Sequence, residues 1–270
     1  MPEMSNHAPG SFCWAEVGTV GAAKSKAFYS ELLGWKFDDR PAGDFGVYSI
    51  GQLRGRDICG MYELSPEMKK QGVPPHWMSY IAVKDADATC KRVSELGGTV
   101  IQGPFDVMDV GRMAVLADPT GAHFSIWGAK THKGSGILGE PGAPCWFELA
   151  TKGLDKAEAF YMKLFGWSLK KGNDGGVAYY EITNPGAPYP MGGMMELRKE
   201  HGPVPPHWTV YFMTNDVDGD ASRAKRLGGQ VFAPPMDIPR VGRFSVLADP
   251  AGASFAIFKL AETPTKPGKK

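Results

Sequence analysis

The chain is short of everything that would direct it to nucleic acid, a membrane or an oxidising compartment. Its 30 Lys and Arg against 29 Asp and Glu leave a net charge of only +1. No electrostatic surplus draws it to a polyanion or an anionic lipid surface. No apolar run approaches the roughly 20 residues of a bilayer-spanning helix, and the opening MPEMSNHAPGS has neither the charged nor the apolar region of a signal peptide. The four cysteines (Cys13, Cys59, Cys90 and Cys145) show no CxxC spacing, which predicts buried, reduced thiols in a cytoplasmic protein. Also missing are a GxGxxG stretch opening a helix, a Walker loop and a GxSxG elbow. Dinucleotide, nucleoside triphosphate and serine-hydrolase chemistry therefore lack their signatures.

What is present is apolar, glycine-rich and repeated. Hydrophobic residues make up 43% of 270 positions and charged ones 22%, the balance of a soluble globular chain long enough for two domains that each bury a core. Thirty-five glycines and 22 prolines predict short strands and frequent turns. Residues 111–127, GRMAVLADPTGAHFSIW, are two apolar runs joined by a Pro- and Gly-containing turn, the pattern of a β-hairpin. The same stretch returns at 242–258 as GRFSVLADPAGASFAIF. CWAEV at 13–17 likewise returns as CWFEL at 145–149, AFYSELLGW as AFYMKLFGW, and VPPHW as VPPHW, all offset by about 130 residues. A domain has been duplicated. The expected layout is a first domain at 10–129, a linker at 130–142, a second domain at 143–260 and a disordered tail at 261–270.

A shorter rhythm runs inside each half. A strand at 12–17 leads to a helix over 22–33, where Phe28 and Leu32, and Tyr29 and Leu33, stand four apart and Gly34 stops the helix. Strands are predicted at 47–50 and 57–64, followed by a polar loop holding Pro74 and Pro75. The pattern then restarts with a strand at 76–83 and a helix over 85–96. Asp85 is its N-cap, Ala86, Cys90, Val93 and Leu96 its apolar stripe, and Gly97 its end. A strand near Val100 and the hairpin complete the half. Each half is thus two βαβββ units, and the chain holds four.

A helix ending in FYSELLGW, a second helix ending in LGG and a closing GRxxxLxDPxGxxF hairpin together resemble the vicinal oxygen chelate superfamily. That group contains glyoxalases, extradiol dioxygenases, methylmalonyl-CoA epimerases, fosfomycin-resistance enzymes and bleomycin-binding proteins. The tandem arrangement resembles two-domain glyoxalase-like proteins of actinobacteria. The resemblance implies an α+β fold in which paired units form curved mixed sheets, concave on the ligand side like a cup and covered by helices on the outer face.

Strand alternation then sorts the side chains. Cys13, Ala15 and Val17 are expected on the helix side, with Trp14 and Glu16 in the cup. Met78, Tyr80, Ala82 and His76 are expected inside, and Trp77, Ile81 and Val83 outside. His123, Ser125 and Trp127 point in. The second half repeats this with Trp146, Glu148, His207, Thr209, Tyr211, Ala256 and Phe258. Trp35, Trp77, Trp167 and Trp208 are assigned to the core. Arg112 and Arg243, after the hairpin glycines, are read either as anchors for an anionic ligand or as structural strand-end residues.

The family places a divalent ion in the cup as a Lewis acid. Its ligand positions fall here on Trp14, Met78 and Ser125 and on Trp146, Thr209 and Ala256, with a further ligand near 61–63 and 194–196. Indole and methyl groups do not bind such ions. No metal and no other cofactor is therefore expected. Two functions stand open. One is metal-independent binding of a small aromatic or polyketide-like molecule, as in drug-sequestering self-resistance or biosynthetic accessory proteins, by Trp14, Trp146, Met78, Tyr80, Tyr211, His123, Ser125, Trp127, Thr209 and Phe258. The other is an enzyme (lyase, isomerase or oxygenase) using a displaced site of Glu16 or Glu148 with His76 or His207, which could hold a metal or serve as base and acid. A small molecule is the expected partner in both, with the chain a monomer or homodimer.

Overall fold

Each half is assembled around its first strand, which lies at the middle of a sheet. The computed structural model describes residues 6–43, 46–172, 178–199 and 202–261. In the first half, β1 (Phe12–Thr19) is followed by α1 (Ala22–Leu33), β2 (Lys36–Pro41), β3 (Val47–Leu53) and β4 (Arg56–Glu63). A short helix, α2 (Pro66–Lys70), leads to β5 (His76–Ala82), α3 (Ala86–Glu95), β6 (Thr99–Val107), β7 (Gly111–Ala117) and β8 (His123–Ala129). The second half runs β9 (Pro144–Thr151), α4 (Leu154–Phe165), β10 (Ser168–Lys171), β11 (Tyr179–Thr183) and β12 (Gly192–Glu196). It closes with β13 (His207–Met213), α5 (Val217–Arg226), β14 (Gln230–Ile238), β15 (Gly242–Ala248) and β16 (Ser254–Leu260).

The strands make two eight-stranded mixed sheets, ordered β2-β3-β4-β1-β5-β8-β7-β6 and β10-β11-β12-β9-β13-β16-β15-β14. β1 runs antiparallel to β5, and β9 to β13. Consecutive βαβββ units therefore share a sheet, a pairing that sequence leaves open. The fold is α+β, two tandem domains of two units each.

Local chemistry sets most boundaries. Gly34 adopts the left-handed conformation that ends α1 (φ 76°), and the Asp85 carboxylate accepts from Ala88 N at 2.9 Å to cap α3. In the hairpin turn Asp118 Oδ1 accepts from the backbone of Thr120 and Ala122, while Gly121 supplies the positive φ. Two elements escape the sequence pattern. β2 reads KFDDRP and is an exposed edge strand, so it shows no alternation of apolar residues. α2 is a single capped turn, held by the Ser65 hydroxyl, inside the segment expected to be loop.

The largest departure from expectation is the core. The two halves do not bury separate cores: one continuous cluster takes Ala15, Phe28, Trp35 and Trp77 from the first half and Phe147, Tyr161, Trp208 and Phe255 from the second. Helices α1, α3, α4 and α5 pack into this shared core, and helices of each half meet the other half's sheet. Phe28 of α1 meets Phe255 of β16, and Phe124 of β8 meets Phe160 and Tyr161 of α4. Phe12, the first residue of β1, and Phe147, which stands where the first half has Ala15, stack face to face at 4.2 Å. The tryptophans assigned to the core reach across as well. Trp35 Nε1 donates to the carbonyl of Gly142 at 2.6 Å and Trp167 Nε1 to that of Gly10 at 2.7 Å. The buried Asp249 of the second hairpin turn accepts from Ser25 of α1 at 3.0 Å. Among the described residues no helix is long and apolar enough to cross a membrane. The tail expected from residue 261 lies, beyond Ala261, outside the described residues.

Candidate functional site

The sheets turn their other faces away from the shared core. On the first of these faces Trp14, Ile50, Met78, Tyr80, Ala82 and Trp127 form a small cluster separate from the main core. Cys13 belongs to it too, contrary to the alternation. A register shift in the β1–β5 pairing between Phe12 and Trp14 breaks the period of two, and Cys13 Sγ comes to lie 3.5 Å from the carbonyl of Tyr80. Its counterpart Cys145 lies 3.4 Å from the carbonyl of Tyr211 and is only half-buried, so the expectation of a fully buried thiol fails there.

At the centre of the first cup stands Glu16. The hydroxyl of Tyr48 donates to Glu16 Oε2 at 2.6 Å and that of Tyr80 to Oε1 at 3.0 Å, while Trp14 Nε1 donates to the Tyr48 oxygen at 3.1 Å. Burial raises the Glu16 pKa above its ordinary value of 4.5, against the lowering pull of the two tyrosines. Burial and then the Glu16 charge push the Tyr48 and Tyr80 hydroxyls well above the usual phenol range, so both stay protonated donors.

The second cup repeats the arrangement. Tyr179 donates to Glu148 Oε2 at 3.0 Å, Tyr211 donates to Oε1 at 2.7 Å, and Trp146 Nε1 donates to Tyr179 at 2.9 Å. Tyr80 and Tyr211 were expected in the cups. Tyr48 and Tyr179 were missed, although each precedes a Gly-containing strand at the same place in the repeat. That glycine is what admits them: a Cβ at Gly60 or Gly193 would overlap the Tyr48 or Tyr179 ring lying across it. The glycines of GGMM at 192–195 thus mark a close approach.

Because Glu16 binds its proton more tightly in the folded state, stability should fall as pH rises from 4.5 through the raised folded value, then level off. Glu16→Gln is expected to remove that fall. Urea midpoints measured across the acid range for both proteins test it, and a Gln variant that keeps the wild-type slope would assign the slope to another group.

The glutamates are paired with tyrosines and not with the histidines that the enzyme reading of the sequence sets beside them. His76 Nδ1 lies 2.8 Å from the carbonyl of Pro74 and His207 Nδ1 lies 2.9 Å from that of Pro205, at the strand starts. His123 is exposed at the start of β8, whereas Ser125 is buried beside Tyr80. Arg112 and Arg243 are structural. Arg112 binds Asp87 of α3 through two nitrogens (2.6 and 2.9 Å) and Arg243 binds Asp218 of α5 in the same way (2.7 and 2.8 Å).

The two cups differ in depth. In the first, residues after β8 run over the cup. Lys130 N and His132 N donate to the Val110 carbonyl, Ser135 N to that of Cys13 and Gly136 N to that of Asp57. Trp14 and Trp127 are consequently only 5% and 7% exposed. In the second, Trp146, Thr209 and Phe258 are half-buried where Trp14, Met78 and Trp127 are buried, whereas Glu148, Tyr179 and Phe244 are half-buried like their counterparts Glu16, Tyr48 and Met113, and Tyr211 is buried like Tyr80. Thr209 replaces Met78 there and Glu181 stands where the first cup has Ile50, while Ala256 replaces Ser125 and Phe258 replaces Trp127.

Comparison with known proteins bears on this geometry. The model of the Glyoxalase/Bleomycin resistance protein/Dioxygenase superfamily matches twice, over residues 14–126 and 145–257. The chain belongs to this superfamily. A relative from Mycobacterium tuberculosis (strain CDC 1551 / Oshkosh), named "Putative glyoxylase CFP32", is 40% identical over 262 residues, covering 97% of this chain and 99% of the relative. The anthracycline biosynthesis protein DnrV of Streptomyces peucetius is 37% identical over 271 residues, covering 96% of each. The Mn(II)-bound glyoxalase of Novosphingobium aromaticivorans has the same fold, with a TM-score of 0.62 at 16% identity, covering 93% of this chain and 82% of that one.

Glyoxalase-superfamily membership raises the question of a chelated ion, and the residues in the cups do not fit one. The positions to which the resemblance carries the family's ligands hold Trp14, Met78 and Ser125, and Trp146, Thr209 and Ala256. Both oxygens of Glu16 and of Glu148 accept from tyrosines. The glutamates of the remaining candidate segments serve elsewhere: Glu63 and Glu196 accept from Ala22 N and Leu154 N, capping α1 and α4 whose N-cap glycines have no side chain. Among the described residues no three His, Cys, Asp or Glu side chains come together in a metal-holding group.

Proposed function

We propose that this superfamily member binds a planar, hydroxylated aromatic molecule in its second cup without a metal ion, in an accessory role in the biosynthesis or sequestration of such a compound. The observation that carries the reading is the half-exposed aromatic lining of that cup, Trp146, Tyr179, Phe244 and Phe258, gathered around the carboxylate of Glu148. Flat rings favour stacking on a planar ligand, and a carboxylate at their centre accepts from its hydroxyls. A relative named for anthracycline biosynthesis, at 37% identity over nearly the whole chain, supports a planar polycyclic ligand.

Alizarin, a dihydroxyanthraquinone, is a suitable probe. Titration followed by tryptophan fluorescence is expected to give saturable quenching. Trp146→Ala should weaken binding about tenfold or more, since losing one good aromatic contact and its buried area exceeds about 1.4 kcal/mol. Affinity unchanged by Trp146→Ala would overturn the assignment of the ligand to this cup.

A second reading is favoured by the duplicated Tyr–Glu–Tyr set. A carboxylate held between two protonated phenols can take a proton from an enolisable or phenolic substrate, the tyrosines stabilising the charge that develops. On this reading Glu148→Gln abolishes turnover of a polyketide-like substrate while leaving its binding in place.

A further inference from the structure

We infer that the first cup is filled from within by His132, and that the second cup takes one ring of its ligand at the equivalent place, between Trp146 and Phe258. The inference rests on the binding reading above, and four observations lead to it.

First, the His132 ring is seated like a bound aromatic. Its centroid lies 4.6 Å from that of Trp14 at an interplanar angle of 85°, and 5.9 Å from that of Trp127 at 73°. These are the edge-to-face distances that aromatic groups prefer. Second, the contact is clamped. Trp127 Nε1 donates to the His132 carbonyl at 2.9 Å, and the flanking chain is held by Ser135 N on Cys13 O at 2.7 Å and by His7 Nε2, 2.9 Å from the Ser135 carbonyl. Third, His132 Nε2 is buried with no hydrogen-bond partner among the described residues. The ring is therefore seated by its aromatic contacts and not by a hydrogen bond at Nε2, and burial favours its neutral form by lowering its pKa. Fourth, the two cups match strand for strand beneath it. Trp14 and Trp146 each donate to a tyrosine bound to the central glutamate, and Trp127 and Phe258 each lie across the first glycine of their hairpin, Gly111 and Gly242.

The same floor thus carries an imidazole in one half and is half-exposed in the other. The internal occupant marks where a ring fits, and the polar substitutions in the second cup, Thr209 for Met78 and Glu181 for Ile50, suit a ligand that brings hydroxyl groups rather than a hydrocarbon.

Two measurements on the full-length protein test the inference. In calorimetric titration alizarin is expected to bind with a stoichiometry of one. Trp14→Ala should leave that site's affinity within twofold of wild type, and Trp146→Ala should weaken it about tenfold or more. In thermal unfolding, His132→Ala is expected to lower Tm, and imidazole added to the variant to restore a few degrees of the loss, an effect absent from wild type because the place is already taken. Two alizarin sites in wild type, or an affinity lowered by Trp14→Ala, would overturn the inference. So would a folded His132→Ala variant whose Tm imidazole does not raise above the wild-type response. Imidazole rescue without any alizarin binding would instead leave the internal occupant standing and count against the ligand reading of the second cup.

Discussion

Replacing Phe12 by alanine is expected to destabilise the whole chain by about 3–5 kcal/mol, the range for removing a large buried aromatic side chain. Phe12 opens the first strand of the first half, yet its ring contacts belong to the second half. It stacks on Phe147 at 4.2 Å and meets Trp208 at 5.2 Å and Trp167 at 5.6 Å, and it is 2% exposed. The cavity left behind would lie on the seam between the sheets, where neither half can collapse into it without moving the other. Urea unfolding followed by tryptophan fluorescence should therefore show a single transition in both proteins, with the variant's midpoint lowered. Two separated transitions, only one of them shifted, would show that the halves unfold independently and that the shared core does not couple them.

Gly60→Ala is expected to be the most damaging single change to a cup. A methyl group there overlaps the Tyr48 ring, and a phenol cannot bend away as a flexible chain could. The ring must swing off, losing its hydrogen bonds to Glu16 and Trp14 together. Hydrogen bonds to a charged group contribute about 1.5–3 kcal/mol, and a buried carboxylate left short of a partner adds to the loss. Tyr48→Phe removes the same bonds without the overlap. Since both changes act through one contact, their costs should not add in a double-mutant cycle. Additive costs of Gly60→Ala and Tyr48→Phe would mean that the glycine serves the backbone of β4 rather than the tyrosine. The equivalent change at Gly193 should act on the second cup through Tyr179 and lower alizarin affinity with it.

The duplication, the bounds of α1, its Gly34 stop and the Asp85 cap of α3 were legible because they depend on neighbours a few residues apart. A left-handed glycine, an Asx cap and an apolar stripe are local devices. Strand alternation also placed Met78, Tyr80, Ala82 and Trp127 on one face, since the period of two is local. It failed at Cys13, where a register shift visible only in the pairing with β5 turned one side chain over. It gave no warning of β2 either, since an exposed edge strand needs no apolar face. Tyr48, Tyr179, Glu63 and Glu196 took roles that depend on which strand or helix end lies beside them, and nothing in the residues themselves announces those neighbours.

By itself, then, the sequence determined that this protein is four βαβββ units in two tandem halves and that Trp and Glu stand on one face of each first strand. Only the tertiary structure decided that consecutive units share a sheet, that the halves bury one core, that each glutamate is held by two tyrosines, and that His132 fills one cup while the other is half-exposed. The reason is physical. Periodicity and capping are settled by chain geometry over a few residues, whereas a hydrogen bond from Tyr48 to Glu16 or a ring seated on Trp14 from residue 132 exists only once distant strands are hydrogen-bonded in one register.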